Sequence, residues 1–382
     1  MQCNKFISPA KIVIEQNGIL SIGKLAESLG KKALICIGGS SFKKSGYLDK
    51  VKESLEAENI EYEIYEGIPS DPDIESVNKG VEVCRNSNCD MVIAIGGGSV
   101  LDAAKAIGLI ANNSKDIAYY EKNKPENRMI PMIAVPTTVG TASEVSMYSI
   151  ITDKKVKRKM VIYGEFILPD VALLDVNLTL GLPPHITAAT GMDALTHAIE
   201  SYVSDRAFEM TRMFALRAIE LIMKNIHGAT YNSNNIKAKE SMLIGQMYAG
   251  LAFSNTSTAL VHSMSRPLGV YYGIPHGEAN AMLLATVMEY NLPCCIEEFK
   301  TLAKAVDLEP NDKSSISYAK AFVDRVKEIH YTLPLSKTIS EKGAKESDLN
   351  AMAQDALASG STWVNPRKPT VDEIIELYKK VM

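Results

Sequence analysis

The 382-residue chain predicts an α/β N-terminal domain over residues 1–182 and an all-helical C-terminal domain over residues 183–382. Three observations carry this expectation. Short β-rich runs alternate with helical patterns through the first half, β-branched runs vanish after Leu182-Pro183-Pro184, and amphipathic helices alone follow.

Within the first domain, residues 33–37 (ALICI) read as a strand and residues 47–58 as a helix. Residues 62–65 and 91–95 (MVIAI) read as strands around a helical stretch at residues 74–86, and residues 132–135 and 171–174 continue the series. Strands alternating with helices of this length imply a mostly parallel sheet covered on both faces. In the second domain, helices are expected over residues 187–203, 209–226, 238–253, 278–290, 315–331 and 371–382.

Composition narrows the function classes. Apolar residues make up 46% and charged residues 23%, with a net charge of -4. The one basic run, KKVKRK at residues 154–159, is short, so neither nucleic acid nor an anionic membrane is an expected partner. The opening MQCNKFISPAKIVIE has no basic segment followed by an apolar one, and no uncharged apolar run reaches spanning length. Cys3, Cys36, Cys84, Cys89, Cys294 and Cys295 form no metal or disulfide spacing, and a cytoplasmic protein is expected.

Two loops suit a nucleotide. Residues 93–108 (IAIGGGSVLDAAKAIG) place Gly96-Gly97-Gly98-Ser99 between a buried strand and a helix. Glycines let the backbone approach a pyrophosphate, and the helix N-terminus supplies unpaired N–H groups. The run is neither GxGxxG nor a Walker loop, and a plain turn would need only one glycine. Residues 136–146 (PTTVGTASEVS) also follow a strand, with hydroxyls suited to a cleft rim.

A metal set is written into the helical half. Asp193 and His197 stand at i and i+4 in ATGMDALTHAIESYVS, on one helix face among apolar neighbours. An unpaired buried carboxylate there is costly, and a cation removes the cost. The chain has 6 histidines, and His262 and His276 complete a set of one carboxylate and three imidazoles. Such a set suits Fe(II) or Zn(II); for each histidine alone, a hydrogen-bonded structural role is the plainer alternative.

In chain order, GGGSVLDAAK, PTTVGTASEVS, TAATGMDALTHAIE, HSMSRPLGVYYGIPHGEAN and NPRKPTVDEIIELY resemble the iron-containing (group III) alcohol dehydrogenase family over essentially the whole length. The resemblance implies a dehydroquinate-synthase-like fold, with a dinucleotide-binding domain before a helical catalytic domain. It implies Asp193, His197, His262 and His276 as metal ligands, with Fe(II) or Zn(II) as the ion. Pyrophosphate contacts carry over onto Gly97, Gly98 and Ser99, with Asp102 following in the helix. Further cofactor contacts carry over onto Thr137, Thr138, Thr141, Ser146 and Lys159, with Asp71 near the adenosine. Tyr148, Phe253 and Trp363 fall at substrate-facing positions. The implied reaction is hydride transfer between NAD(P)(H) and a small primary alcohol, diol or aldehyde, in a homodimer.

The chain departs from the family pattern in places. Arg266 stands where relatives commonly carry a second histidine, and a guanidinium is no general base at neutral pH. It leaves open a carboxylate-bearing semialdehyde as substrate. After the first strand, Gly38-Gly39-Ser40-Ser41-Phe42-Lys43-Lys44 carries no carboxylate to meet a ribose 2'-OH, which favours NADP(H) over NAD(H). Ala142 replaces a common glycine, with little consequence expected. A non-redox lyase of the dehydroquinate-synthase type is the competing enzyme class.

Overall fold

The computed structural model describes residues 4–156 and 158–382, and of Ser40 and Ser41 the backbone alone. The chain divides into two compact units.

The α/β unit comprises residues 7–138 and 142–180. In order it contains β1 (Lys11–Ile14), α1 (Ile22–Ala26), β2 (Lys32–Ile37), α2 (Ser40–Lys44), α3 (Tyr47–Ala57), β3 (Glu61–Tyr65) and α4 (Ile74–Asn86). Then come β4 (Met91–Gly96), α5 (Gly98–Ala111), β5 (Met132–Pro136), β6 (Tyr148–Asp153), β7 (Arg158–Tyr163) and β8 (Val171–Leu174). Six strands form one parallel sheet in the order β1-β8-β5-β4-β2-β3, while β6 and β7 make a separate antiparallel hairpin.

The continuous apolar runs of β4 and β5 follow from burial on both faces. Along β4, Val92 and Ala94 enter one core with Val77 and Val81 of α4 and Leu101 and Ile107 of α5. Met91, Ile93 and Ile95 enter the opposite core with Val51 and Leu55 of α3 and Ile22 of α1. Each such aliphatic side chain contributes about 1.5–3 kcal/mol by leaving water. From β2 the chain winds outward to β3, and from β4 it winds the other way to β5. The winding therefore reverses between β2 and β4, where open parallel sheets present ligand crevices. The Gly38–Ser41 and Gly96–Ser99 segments both leave the sheet there.

The helical unit holds α6 (Pro184–Val203), α7 (Glu209–Tyr231), α8 (Ile236–Thr256), α9 (Leu260–Tyr272) and α10 (His276–Asn291). It continues through α11 (Ile296–Ala305), α12 (Ser315–Thr332), α13 (Leu349–Ala358) and α14 (Val371–Lys379). Every residue of α6 from Gly191 to Val203 is buried, so this helix is the axis of the unit.

The structure adds to the expectation in several places, helices α1, α2, α11 and α13 among them. The helical unit also takes in residues up to Phe6, which stacks on Phe214 at 5.3 Å, and Val139–Thr141. Strand β1 and the β6–β7 hairpin were not anticipated, since the short edge strand KIVI is only half-buried. Residues 260–272 form α9 although Pro267 lies inside it. Its buried stretch, from Leu260 through Ser265 and on to Leu268, supplies packing that outweighs the proline's missing N–H. Among the described residues, no helix is long and apolar enough to cross a membrane.

Candidate metal centre and nucleotide loops

Three of the four expected ligands converge. Ligand atoms of Asp193, His262 and His276 all lie within 4.8 Å of one another. Asp193 Oδ1 stands 3.7 Å from Nε2 of each histidine. Helix α6 supplies Asp193, α9 supplies His262, and the first residue of α10 is His276. Gly277 makes this approach possible: a Cβ there would lie 2.3 Å from the Ala189 carbonyl oxygen of α6. Asp193 and His262 are each 2% exposed, whereas the His276 side chain is 39% exposed and opens the centre to solvent.

His197 lies one turn beyond Asp193 but outside this trio. Its ring stacks on His262 at 4.5 Å and on Phe253 at 4.2 Å, and hydrogen-bonds the Gly140 backbone. Its Nδ1 is buried without a hydrogen-bond partner.

Two residues that the sequence reading missed hold the centre in place. Glu200, 3% exposed, accepts from His262 Nδ1 at 2.6 Å and from the N–H groups of Ala259 and Val261 at 2.8 and 2.6 Å. It thus caps the start of α9 and turns His262 Nε2 toward Asp193. Its signal was its spacing, since Asp193, His197 and Glu200 stand at i, i+4 and i+7 on one face. Asn280, one turn after His276, donates from Nδ2 to Asp193 Oδ1 at 2.7 Å. The same nitrogen lies 3.3 Å from Nε2 of both His262 and His276.

Electrostatics follow from burial. It pushes the carboxyls of Asp193 and Glu200 up to about 7, against the hydrogen bonds each accepts. Burial also holds His262 and His197 well below the ordinary imidazole value, and the nearby Arg266 charge adds to this. Neutral imidazoles beside a carboxyl group are a donor set suited to a divalent cation. The unpartnered His197 Nδ1 and Asn280 Oδ1, both buried, mark unspent polar capacity at the same place. These residues fit a divalent ion of the Fe(II) or Zn(II) type. Arg266 lies one turn after His262, and its Nη1 donates to Ser359 Oγ at 2.9 Å.

In the α/β unit, α5 begins at Gly98 with extended Gly97 before it and no side chain capping it. Its first N–H groups are therefore offered to an anion. A Cβ at Gly97 would lie 3.2 Å from Thr138 Cγ2, and Thr137 N–H donates to the Gly96 carbonyl at 2.9 Å, so the two loops touch. The Ser99 hydroxyl donates to the Ser70 carbonyl. Asp102 and Ser146 turn toward protein: Asp102 accepts from Ser143 and Ile150, and the Ser146 hydroxyl accepts from Lys105. Thr141 belongs to the helical unit, with Val139 and Gly140.

Asp71, Thr152 and Lys159 form a cluster, with Thr152 Oγ1 donating to Asp71 at 2.8 Å and Lys159 Nζ 3.5 Å from it. Gly39 has open space, with nothing within 4 Å of an added Cβ. The side chains of Ser40 and Ser41 lie outside the described residues. Lys43 is engaged with Glu66 at 2.7 Å, so a carboxylate from the end of β3 does stand near this loop. Of the expected pocket residues, Phe253 stacks on His197, Tyr148 meets Tyr163 with tilted rings 4.6 Å apart, and Trp363 is 54% exposed. Ala142 adopts φ 50°, a left-handed conformation, so its replacement of glycine carries strain that was not anticipated.

Comparison with known proteins identifies the family. The family model for iron-containing alcohol dehydrogenase matches residues 9–176, and that for the C-terminal part of the Fe-containing alcohol dehydrogenase family matches residues 187–382. Lactaldehyde reductase of Escherichia coli (strain K12) is 37% identical, covering 94% of this chain and 95% of its own. NADPH-dependent butanol dehydrogenase of Clostridium saccharobutylicum is 36% identical over 94% of each. The crystal structure of a 1,3-propanediol oxidoreductase superposes with a TM-score of 0.96 at 34% identity, covering 100% of both chains. With a dehydroquinate-synthase-like fold and both family models matched, the chain belongs to the iron-containing alcohol dehydrogenase family and is an oxidoreductase.

Proposed function

We propose that the protein interconverts small primary alcohols or diols and the corresponding aldehydes, using a divalent ion, Fe(II) or Zn(II), and NADP(H) in preference to NAD(H). The observation that carries the reading is the convergence of Asp193, His262 and His276. When bound, the ion supplies Lewis acidity toward the alcohol or carbonyl oxygen, and the nicotinamide gives or takes the hydride. The chain's own residues do the rest. Asp193, His262 and His276 would hold the ion, Glu200 fixes the orientation of His262, and Phe253 walls His197 with apolar surface.

NADP(H) is favoured by the carboxylate-free Gly38–Lys44 segment and by the NADPH dependence of the butanol dehydrogenase relative. The exposed edge strand β1, with Ile14 45% exposed, supports assembly as a homodimer. The test is steady-state oxidation of NADPH and of NADH by the Fe(II)- or Zn(II)-loaded protein with short uncharged aldehydes. Turnover with NADPH exceeding that with NADH supports the reading; no turnover with either counts against it.

One observation favours a second substrate class. The Arg266 guanidinium is close enough to depress both His262 and His197, and an anionic aldehyde would be drawn to it. Preference for a carboxylated aldehyde, lost in Arg266→Gln, would select that class.

A further inference from the structure

Helix α4 ends in a Schellman cap built on two cysteines. Asn88, just past the helix, adopts φ 53°, the left-handed conformation such a cap requires. The Asn88 N–H donates to the Arg85 carbonyl at 3.1 Å, and the Cys89 N–H donates to the Cys84 carbonyl at 2.9 Å. In this motif the side chains of the two residues joined by the outer bond meet, usually as an apolar contact. Here both are thiols, hydrogen-bonded to each other, and Cys84 Sγ also lies 3.8 Å from the Cys89 carbonyl oxygen. Their spacing in the sequence hides the pair, and the helix cap brings it together.

The two thiols are not equivalent. Cys84 is 1% exposed and belongs to the core that holds Val77 and Val81, whereas Cys89 is only half-buried. The hydrogen bond from Cys84 and the Lys32 charge pull Cys89 below the ordinary thiol value, against desolvation and the carboxylates of Glu63 and Asp90. The same hydrogen bond, and then burial, hold Cys84 protonated. A reachable thiol eased toward its thiolate, touching a protonated partner, is the arrangement of an attacking and a resolving cysteine. Valine at both positions would make the cap's apolar contact without this chemistry.

We propose that Cys84 and Cys89 are a peroxide-reactive pair that closes to a reversible disulfide at the end of α4. The Cys89 thiolate attacks hydrogen peroxide, the O–O bond breaks, and Cys89 becomes a sulfenic acid. The hydroxide that leaves takes up the proton Cys89 lost on ionising. The Cys84 sulfur then forms the S–S bond as the S–O bond breaks, and its proton leaves with that hydroxide as water. Two thiols are oxidised, and one peroxide is reduced to two waters. The pair precedes the amino end of β4, while the Gly96–Ser99 segment leaves its carboxyl end, so this site is separate from the nucleotide loops.

The test treats the zinc-loaded full chain with one equivalent of hydrogen peroxide and blocks the remaining thiols with iodoacetamide in denaturant. Peptides are then mapped by mass spectrometry; zinc keeps ferrous-iron chemistry out of the result. A Cys84–Cys89 cross-link should be the first product, with two thiols lost per peroxide and both restored by dithiothreitol. Cys89 should be consumed about threefold or more faster than the exposed Cys294, because thiolate character outweighs access. In Cys84→Ala the reaction should stop at a Cys89 sulfenic acid that dimedone traps. In Cys89→Ser, oxidation of Cys84 should slow about tenfold or more, and this half-buried change decides if Cys84→Ala does not fold. Cross-links through any other cysteine in place of this pair, or a Cys89 no faster than Cys294, would overturn the proposal.

Discussion

Asp193 is a carboxyl buried to 2% exposure whose neighbours are imidazoles and one amide, an environment in which a bound cation would stabilise its ionised form. Glu200 is the partner that prepares His262 for that cation. Glu200→Gln keeps the volume but sets an amide N–H against the N–H groups of Ala259 or Val261. Zinc affinity, measured by titration of metal-stripped protein, should fall about 10–100-fold, as for other carboxylates behind ligating histidines. An unchanged affinity would make Glu200 a helix cap alone. At Gly39 the open space admits a carboxylate without repacking. Gly39→Asp should raise KM for NADPH while leaving KM for NADH level or lower, by repulsion of the 2'-phosphate. Equal effects on both cofactors would place the 2'-phosphate elsewhere.

At the scale of elements, the sequence was most legible where periodicity and burial agree. The buried strands β2, β4, β5 and β8 were found because both-face burial writes continuous apolar runs. Helical spacing set Asp193 and His197 on one face of α6 as expected, but only Asp193 joins the trio. Helix α9 was obscured by Pro267, whose local preference tertiary packing overrides, and Glu200 by its resemblance to an ordinary surface glutamate. Lys239 in α8 was equally illegible: it is 0% exposed, and its Nζ donates to Thr187 Oγ1 of α6 at 2.8 Å.

Burial brings the Lys239 ammonium down to about 8, below its unfolded value. The unfolded chain then binds more protons between about pH 8 and 10.5, so this group adds stability as pH rises through that window and costs most below it. Lys239→Met should therefore stabilise the protein at pH 7 by about 1 kcal/mol or more, with the gain shrinking toward pH 10.5. Denaturant melts at pH 7 and 10 check this; a loss at pH 7 would show that the Thr187 bond outweighs the buried charge. Gly277→Ala forces a Cβ onto the Ala189 carbonyl and should cost about 1–3 kcal/mol in the same assay. It should also weaken zinc binding, because His276 and Asn280 move with α10.

Over the whole molecule, the two chemistries are built on different supports. The nucleotide loops leave the carboxyl ends of a parallel sheet at the point where its winding reverses. The metal trio is gathered from three helices around a buried axis. The proposed division of labour rests on two chemically distinct signals, glycines after a strand and histidines on helices. What was not legible is the holding apparatus, Glu200 and Asn280, whose roles depend on tertiary contacts. Saturating NADPH should stabilise the native chain by about 2.7 kcal/mol at 100 times its Kd, read as a shift in the denaturant midpoint.

The most direct test of the account is the rate of NADPH oxidation with a short uncharged aldehyde as Fe(II) is returned anaerobically to metal-stripped protein. The rate should climb to a break at about one ion per chain, with no recovery in Asp193→Ala, since one ion is what a single trio would hold. Full activity without metal, or recovery in Asp193→Ala equal to the wild type, would contradict it.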